Sequence, residues 1–401
     1  MPHFTINTAG ELPRTPLLVH IPHSAISVPN PWRSQIILDD PALEREVLAM
    51  TDRYTDELFG PAALAHGGTV FINNLSRLIF DPERFEDDNR EVMSTKGMGA
   101  VYTSTSELTP LRGAEFSHSH RDDILLKLFR PYATAFEDEV SRQLESFGRC
   151  LIVDAHSFPD QPLPYENSDL DRPDLCIGYD PYHASESLIA AVEQVACAAG
   201  WTVGRNTPFA GSYVPLNYYN KNPQVVSVMI EINRKRYMDE KTGDRSSGFL
   251  ETYDLARELV ETAVLFEAFR NTRFRAETPD GSLCIRVDEE CPELDSLLER
   301  SGHESWVYIT AYNPNGKPAS REENARSQDR LERELREKGL TFFQGAGTAD
   351  IGDWPPEPSF LVLGISQKVA ADLCKRYAQA AVVVGTLRGN ARLLLPTEET
   401  Q

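Results

Sequence analysis

Apolar runs flanked by turn residues fall at 17–21 (LLVHI), 69–72, 150–153, 175–177 and 225–232 (VVSVMIEI), each of strand length. Between them, apolar positions recur at the helical period over 41–59, 121–147, 184–199 and 249–269. Strands alternating with helices predict a largely parallel sheet covered on both faces, with ligands bound just beyond the carboxyl ends of the strands. The expected fold class for residues 1–272 is therefore α/β, with a mixed, mostly parallel sheet. Around 271–281 the chain turns polar and turn-rich (NTRFRAETPDG), which marks the start of a second unit, 273–401. There, strand-like segments (SLCIRV, SWVYITAY, LTFFQGAG, SFLVLGI, AAVVVGT) are separated by helical patterns at 321–338 and 367–379, the signature of a small α+β domain.

A length of 401 residues fits two or three domains at roughly 100–200 residues each. The formal net charge of -21 argues against nucleic acid or an anionic membrane as partner, since both are bound by basic surfaces. The opening stretch MPHFTINTAGELPRT has no basic flank followed by an apolar run, so no secretory signal is expected, and the expected location is the cytoplasm. Six cysteines without a CxxC pair predict neither disulfides nor a cysteine metal site; Cys150 and Cys284 lie in strand-like surroundings, where a thiol acts as a small hydrophobe.

Chemistry gathers where strands should end. In LIVDAHSFPD, Asp154 and His156 follow a run read as buried on both faces; His23 follows Pro22 in the loop after LLVHI, with His20 still in the strand layers; Glu231 closes VVSVMIEI. Two imidazoles and a carboxylate at three strand tips suit zinc, which in catalytic sites takes three protein ligands and a water. TDRYTDELF, read as a helix entry, supplies the third ligand: Asp52 or, alternatively, Asp56, four residues apart and so on one helical face. Glu231 is either a fourth ligand or the base that takes a proton from water.

Seven pieces, PHSAISVP, TDRYTDELF, SRLIFDPERF, the block 121–132, DAHSF, NTPFAGSYV and EINRKRYMD, occur in the order and approximate spacing of the N-formylglutamate amidohydrolase family, which the chain resembles over about residues 12–270. The resemblance implies an α/β zinc amidohydrolase with a sheet like that of zinc carboxypeptidases and amidases. It implies hydrolysis of a C–N bond in a small anionic N-acyl amino acid such as N-formyl-L-glutamate. One divalent metal, zinc by preference, would be held by His23, Asp52 and His156, with Glu231 catalytic and Asp154 orienting a ligand. Arg77 and Arg84 match the family's Ser-Arg…Asp…Arg segment and suit a substrate carboxylate; Asn206, Gly211 and Tyr213 form a glycine-containing loop that brings backbone to the ligand, and Arg234 is a further substrate candidate. The chain departs from the family's common PHSG at Ala25, from DLNR at 81–84 and from PYH at Ala133, so retention of the hydrolytic residues does not carry glutamate with it as the substrate's amino acid. Rival readings are a zinc amidase for another N-acyl amino acid or peptide, and an inactive binding module. The second predicts loss of a metal residue, and His23, Asp52, His156 and Glu231 are all present.

The segments VYITAYNPNGKPASREEN, GDWPPEPSFLVLGIS and YAQAAVVV resemble a domain family of unknown function over about 300–396. Fused to a hydrolase, such a unit gates substrate or mediates homo-oligomer formation. TAYNP, beside the helix that carries Asn324, reads as a structural turn.

Overall fold

The structure, a computed structural model, describes residues 2–350 and 355–396. In chain order the strands of the first sheet and the helices between and after them are β1 (Phe4–Thr8), β2 (Leu17–Ile21), α1 (Asp40–Met50), α2 (Thr55–Ala65), β3 (Thr69–Asn73), α3 (His118–Ile124), α4 (Arg130–Phe147), β4 (Cys150–Phe158), β5 (Leu175–Tyr179), α5 (Glu186–Ala198), β6 (Val203–Arg205), β7 (Val225–Asn233) and α6 (Phe249–Arg270). The strand order is β1-β3-β2-β4-β7-β5-β6. The central run β3, β2, β4, β7 is parallel, and antiparallel pairs occur where β1 joins β3 and where β5 joins β7.

Helices cover this sheet on both faces because alternate strand side chains point in opposite directions. Phe71 packs edge-on against Tyr132 and Phe136 of α4. Its neighbour Val70 faces Gly60 of α2 instead. In α4 the buried positions Tyr132, Phe136, Val140 and Gln143 recur every three or four residues, which makes a stripe broad enough to lie on the sheet.

The helical pattern expected over 41–59 is two helices. The break at residues 51–54, where Tyr54 takes a left-handed φ of 71°, puts Asp52 in a loop. The pattern over 121–147 begins earlier, at His118, and contains a π-helical turn, Leu125–Phe129, between α3 and α4. β4 and β7 extend further than their apolar runs: every residue of both is buried, and pairing continues through His156↔Glu231 to Phe158↔Asn233. Asp154, His156 and Glu231 thus stand within strands, not at their tips.

The second sheet contains β8 (Thr272–Thr278), β9 (Gly281–Ile285), β10 (Ser305–Ile309), β11 (Phe342–Ala349), β12 (Glu357–Leu363), β13 (Val382–Thr386) and β14 (Arg392–Leu394), with α7 (Pro292–Ser301), α8 (Arg321–Glu337) and α9 (Gln367–Arg376). All its pairs are antiparallel, in the order β14-β13-β10-β12-β11-β8-β9. Leu331 and Leu335 of α8, with Ala370 and Leu373 of α9, share a core with Val307, Phe360 and Val384. NTRFRAETPDG is a strand and hairpin turn: Phe274 and Ala276 point inward and the charged residues outward. Asn313, at φ 46°, and Asn324 bond reciprocally (Asn313 N to Oδ1, 2.8 Å; Nδ2 to Asn313 Oδ1, 2.9 Å), so TAYNP is a turn held by amides. Residues 352–354 of GDWPPEPSFLVLGIS lie outside the described residues.

By Cα proximity the chain forms two compact units, Met1–Ala184 with Ala199–Glu261, and Ser185–Ala198 with Thr262–Gln401. None of the six cysteines is in a disulfide; Cys150 is buried, whereas Cys284 of β9 is exposed. Among the described residues no helix is long and apolar enough to cross a membrane.

Candidate metal and active site

Register across the parallel strands assembles the site. His20 of β2 lies opposite Asp154 of β4, and His156 of β4 opposite Glu231 of β7, in successive rows on the α4 side of the sheet. The loops that leave β2 and β3 add His23 and the 77–84 segment, and the loop between α1 and α2 adds Asp52, tied in by its amide to the His23 carbonyl (3.0 Å). His23, Asp52, Asp154, His156 and Glu231 line one cavity of about 670 Å³ with Arg77, Arg84 and Arg234.

Three donor atoms converge there. His23 Nδ1 is 3.3 Å from His156 Nδ1, and Asp52 Oδ2 is 3.1 Å from His156 Nδ1 and 3.6 Å from His23 Nδ1. These separations match the edge of a tetrahedron around zinc, roughly 3.3 Å for metal–nitrogen bonds of about 2.05 Å. The other ring nitrogens show why the lone pairs face inward. His23 Nε2 meets Asp81 Oδ1 at 2.9 Å, and His156 Nε2 meets Asp154 Oδ1 at 3.1 Å and Glu83 Oε1 at 3.2 Å. A carboxylate at Nε2 claims that proton, so in the neutral rings Nδ1 is an acceptor and two imidazole lone pairs and a carboxylate oxygen face one another until a proton or a metal ion enters. A cation resolves that repulsion. Burial and the charge of Arg77 oppose a proton on His23, yet Asp81 and Asp52 outweigh them and raise its pKa; His156 is raised well above the ordinary value in spite of burial, by Glu83 and Asp154. The site therefore attracts positive charge wherever it can be placed.

A second set of possible ligands, His23, Glu83 and His156, lies within 4.8 Å, and so does a third, His20, Glu83 and Asp154. Glu83 approaches the imidazoles through Nε2 atoms that Asp81 and Asp154 already occupy, at 3.7 Å from His23. The set with Asp52 uses unclaimed lone pairs, so it fits a metal better.

Supporting residues are tightly bonded. Asp81, fully buried, also accepts from Arg77 Nη2 (2.6 Å), Tyr102 OH (2.7 Å) and the Glu83 amide (3.2 Å). Burial alone would raise its pKa, but Arg77 and His23 hold it well below the usual carboxylate range. Asp154 receives His20 Nδ1 (2.9 Å) and the Tyr213 amide (3.0 Å), and His20 Nε2 meets Tyr132 OH at 2.8 Å. Asp154 therefore orients His156 and is itself held by His20. If His23 is a metal ligand, Asp81→Asn is expected to weaken zinc binding by about 10- to 100-fold, the usual cost of an outer partner of a metal-bound histidine. Titration of the apoprotein with zinc against a competing chelator measures it.

Glu231 is 9 % exposed, and its Oε2 has no hydrogen-bond partner. Burial, aided by the Asp52 carboxylate, pushes its pKa up to about 7 against the pull of His156 and Arg234.

The other expected residues separate. Asp56 sits in the first turn of α2 and does not line the cavity; the one-face argument fails because Asp52 precedes the helix. Arg234 lines the cavity but donates to Asp52 Oδ1 (3.0 Å), to the Ala49 carbonyl (2.6 Å) and to Ser157, so it fixes Asp52 and its donors are not free for a substrate. Asn206 does not line the cavity; its Oδ1 accepts from the Tyr179 (2.8 Å) and Gly211 (3.1 Å) amides and folds the loop. Gly211, at φ 85°, and Tyr213 do line it. Arg77 and Arg84 reach the cavity from beside Asp81, and Arg84 Nε has no hydrogen-bond partner. Sequence reasoning missed roles for His20, Asp81 and Glu83. Asp81 could have been found as the acid that directly follows the apolar run 78–80 between two arginines.

Residues 15–238 match the family model described as N-formylglutamate amidohydrolase, and residues 309–382 match one described as a protein of unknown function, DUF3293. The chain is 27% identical over 231 residues to an N-formylglutamate deformylase of Pseudomonas putida, covering 57% of this chain and 83% of that protein. It is 27% identical over 234 residues to one of Pseudomonas aeruginosa, covering 57% and 84%. A crystal structure of N-formylglutamate amidohydrolase from Ralstonia eutropha superposes with a TM-score of 0.56 at 22% identity over 65% of this chain and 96% of the other. At that identity the likeness speaks to the fold.

Proposed function

On the premise that this chain belongs to the N-formylglutamate amidohydrolase family, we propose that residues 1–272 form a metal-dependent amidohydrolase domain, of the zinc carboxypeptidase and amidase type, that cleaves the C–N bond of an N-acyl amino acid such as N-formyl-L-glutamate. The observation that carries the reading is the convergence of His23 Nδ1, His156 Nδ1 and Asp52 Oδ2 beside the unpartnered Oε2 of Glu231.

His23, Asp52 and His156 would hold one divalent ion, zinc by preference, which supplies Lewis-acid activation of water and of the acyl oxygen. Asp81 and Asp154 fix the two imidazole tautomers, and Arg234 fixes Asp52. Glu231 takes a proton from the attacking water and returns it to the leaving nitrogen, a task suited to a carboxyl whose pKa lies near the working pH. Water adds to the acyl carbon, the C–N bond breaks, and the products are a carboxylate and a free amino acid. Arg77 is committed to Asp81 and Tyr102 by short hydrogen bonds, whereas Arg84 pairs with Asp81 and Glu91 only at 3.6 and 3.8 Å and is the freer group for a substrate carboxylate.

The test is release of formate and glutamate from N-formyl-L-glutamate by the zinc-loaded protein. Arg84→Ala is expected to raise KM about 10- to 100-fold with kcat little changed, as loss of a hydrogen bond to a charged group predicts. A fall in kcat at constant KM would assign Arg84 to the chemistry instead.

A further inference from the structure

The cavity is larger than the family's namesake substrate needs. N-formylglutamate has 12 non-hydrogen atoms, which at no more than about 30 Å³ each, the share of a liquid water, occupy at most about 360 Å³. The space available is about 670 Å³, within the range that holds ligands of drug size.

Charge divides this space. Its lining cations, Arg77, Arg84 and Arg234, lie on the segments that follow β3 and β7, whereas Phe129, Val214 and Tyr213 belong to one apolar cluster with Tyr132 and Phe136 of α4. Ala133 and Leu216, chain neighbours of that cluster, line the cavity as well. The carboxylates at its rim already have partners, Glu86 in Arg130 (2.6 Å) and Glu137 in Asn217. Leu216 is nevertheless 51 % exposed, an apolar surface left open inside a cleft. The wall follows directly on the π-helical turn Leu125–Phe129, an irregularity of the kind that often reshapes a helix at a functional site.

We infer that the cavity takes an N-acyl amino acid whose acyl group is an uncharged aliphatic chain longer than formyl, seated against Phe129, Ala133, Val214 and Leu216, with its carboxylate towards Arg77 and Arg84. This rests on the hydrolase reading above and specifies its substrate class. Water adds to the acyl carbon, the C–N bond breaks, and a short-chain fatty carboxylate and the free amino acid leave.

The experiment compares kcat/KM of the zinc-loaded full chain for N-formyl-, N-acetyl-, N-butyryl- and N-hexanoyl-L-glutamate, read as free glutamate. Apolar pockets discriminate by about tenfold or more per methylene, so hexanoyl is expected to exceed formyl by at least about tenfold. Ala133→Phe, which fills the arm, and Leu216→Asp, a change at an exposed position that leaves packing alone, should each lower the hexanoyl-to-formyl ratio at least about tenfold. Formyl cleaved best, or ratios unmoved in both variants, overturns this inference and leaves the hydrolase standing. No glutamate from any substrate overturns both.

Discussion

His156→Ala is expected to purify without its divalent ion and to lose more than about 99.9 % of amide hydrolysis. His156 contributes Nδ1 to the converging donor set and is held through Nε2 by Asp154 and Glu83, so its removal deletes one of the three proposed ligands and the group between Asp52 and His23. Loss of an outer partner costs about 10- to 100-fold in metal affinity, and loss of a ligand must exceed that. Elemental mass spectrometry of protein prepared without chelator reads the metal, and formate release reads the activity. The variant leaves Asp52 and Asp154 with one partner fewer, so a melting curve belongs beside both. A folded variant that keeps stoichiometric metal would remove His156 from the ligand set.

Glu231→Gln separates binding from chemistry. The amide has the carboxylate's shape and cannot take a proton, so kcat should fall by about 10²- to 10⁴-fold, with KM and metal content close to the wild type. The change removes a buried charge and leaves Oε2, which has no hydrogen-bond partner, replaced by a group of the same shape, so the variant should stay folded, which a melting curve checks. Loss of metal along with activity would make Glu231 a ligand and not the base.

The parallel core was legible because its strands are apolar throughout, as strands covered on both faces must be. Where β4 and β7 end was not: Asp154, His156 and Glu231 are polar, and polarity alone reads as a strand end. What keeps them in the strands is mutual pairing across the sheet, a long-range fact. The split between α1 and α2 was hidden for a related reason. Asp52 and Asp56 are helix-spaced, but Arg234, 182 residues away, bonds Asp52 and holds it in a loop. The opening strand of the second sheet escaped because its outward side chains are charged, which masks a period-two pattern. His23, Asp52, His156 and Glu231 could be named from motifs; Glu83 and His20 gain their meaning only from the groups they face, His156 for the first and Asp154 and Tyr132 for the second.

The most direct test is the metal itself. The wild-type full chain is stripped with chelator, assayed for formate release from N-formyl-L-glutamate, reloaded with zinc and assayed again, with bound metal counted at each stage. The account predicts about one ion per chain, activity lost on stripping and restored in proportion to the ion regained. Undiminished hydrolysis by fully stripped protein, or no metal bound at any concentration tried, would contradict it.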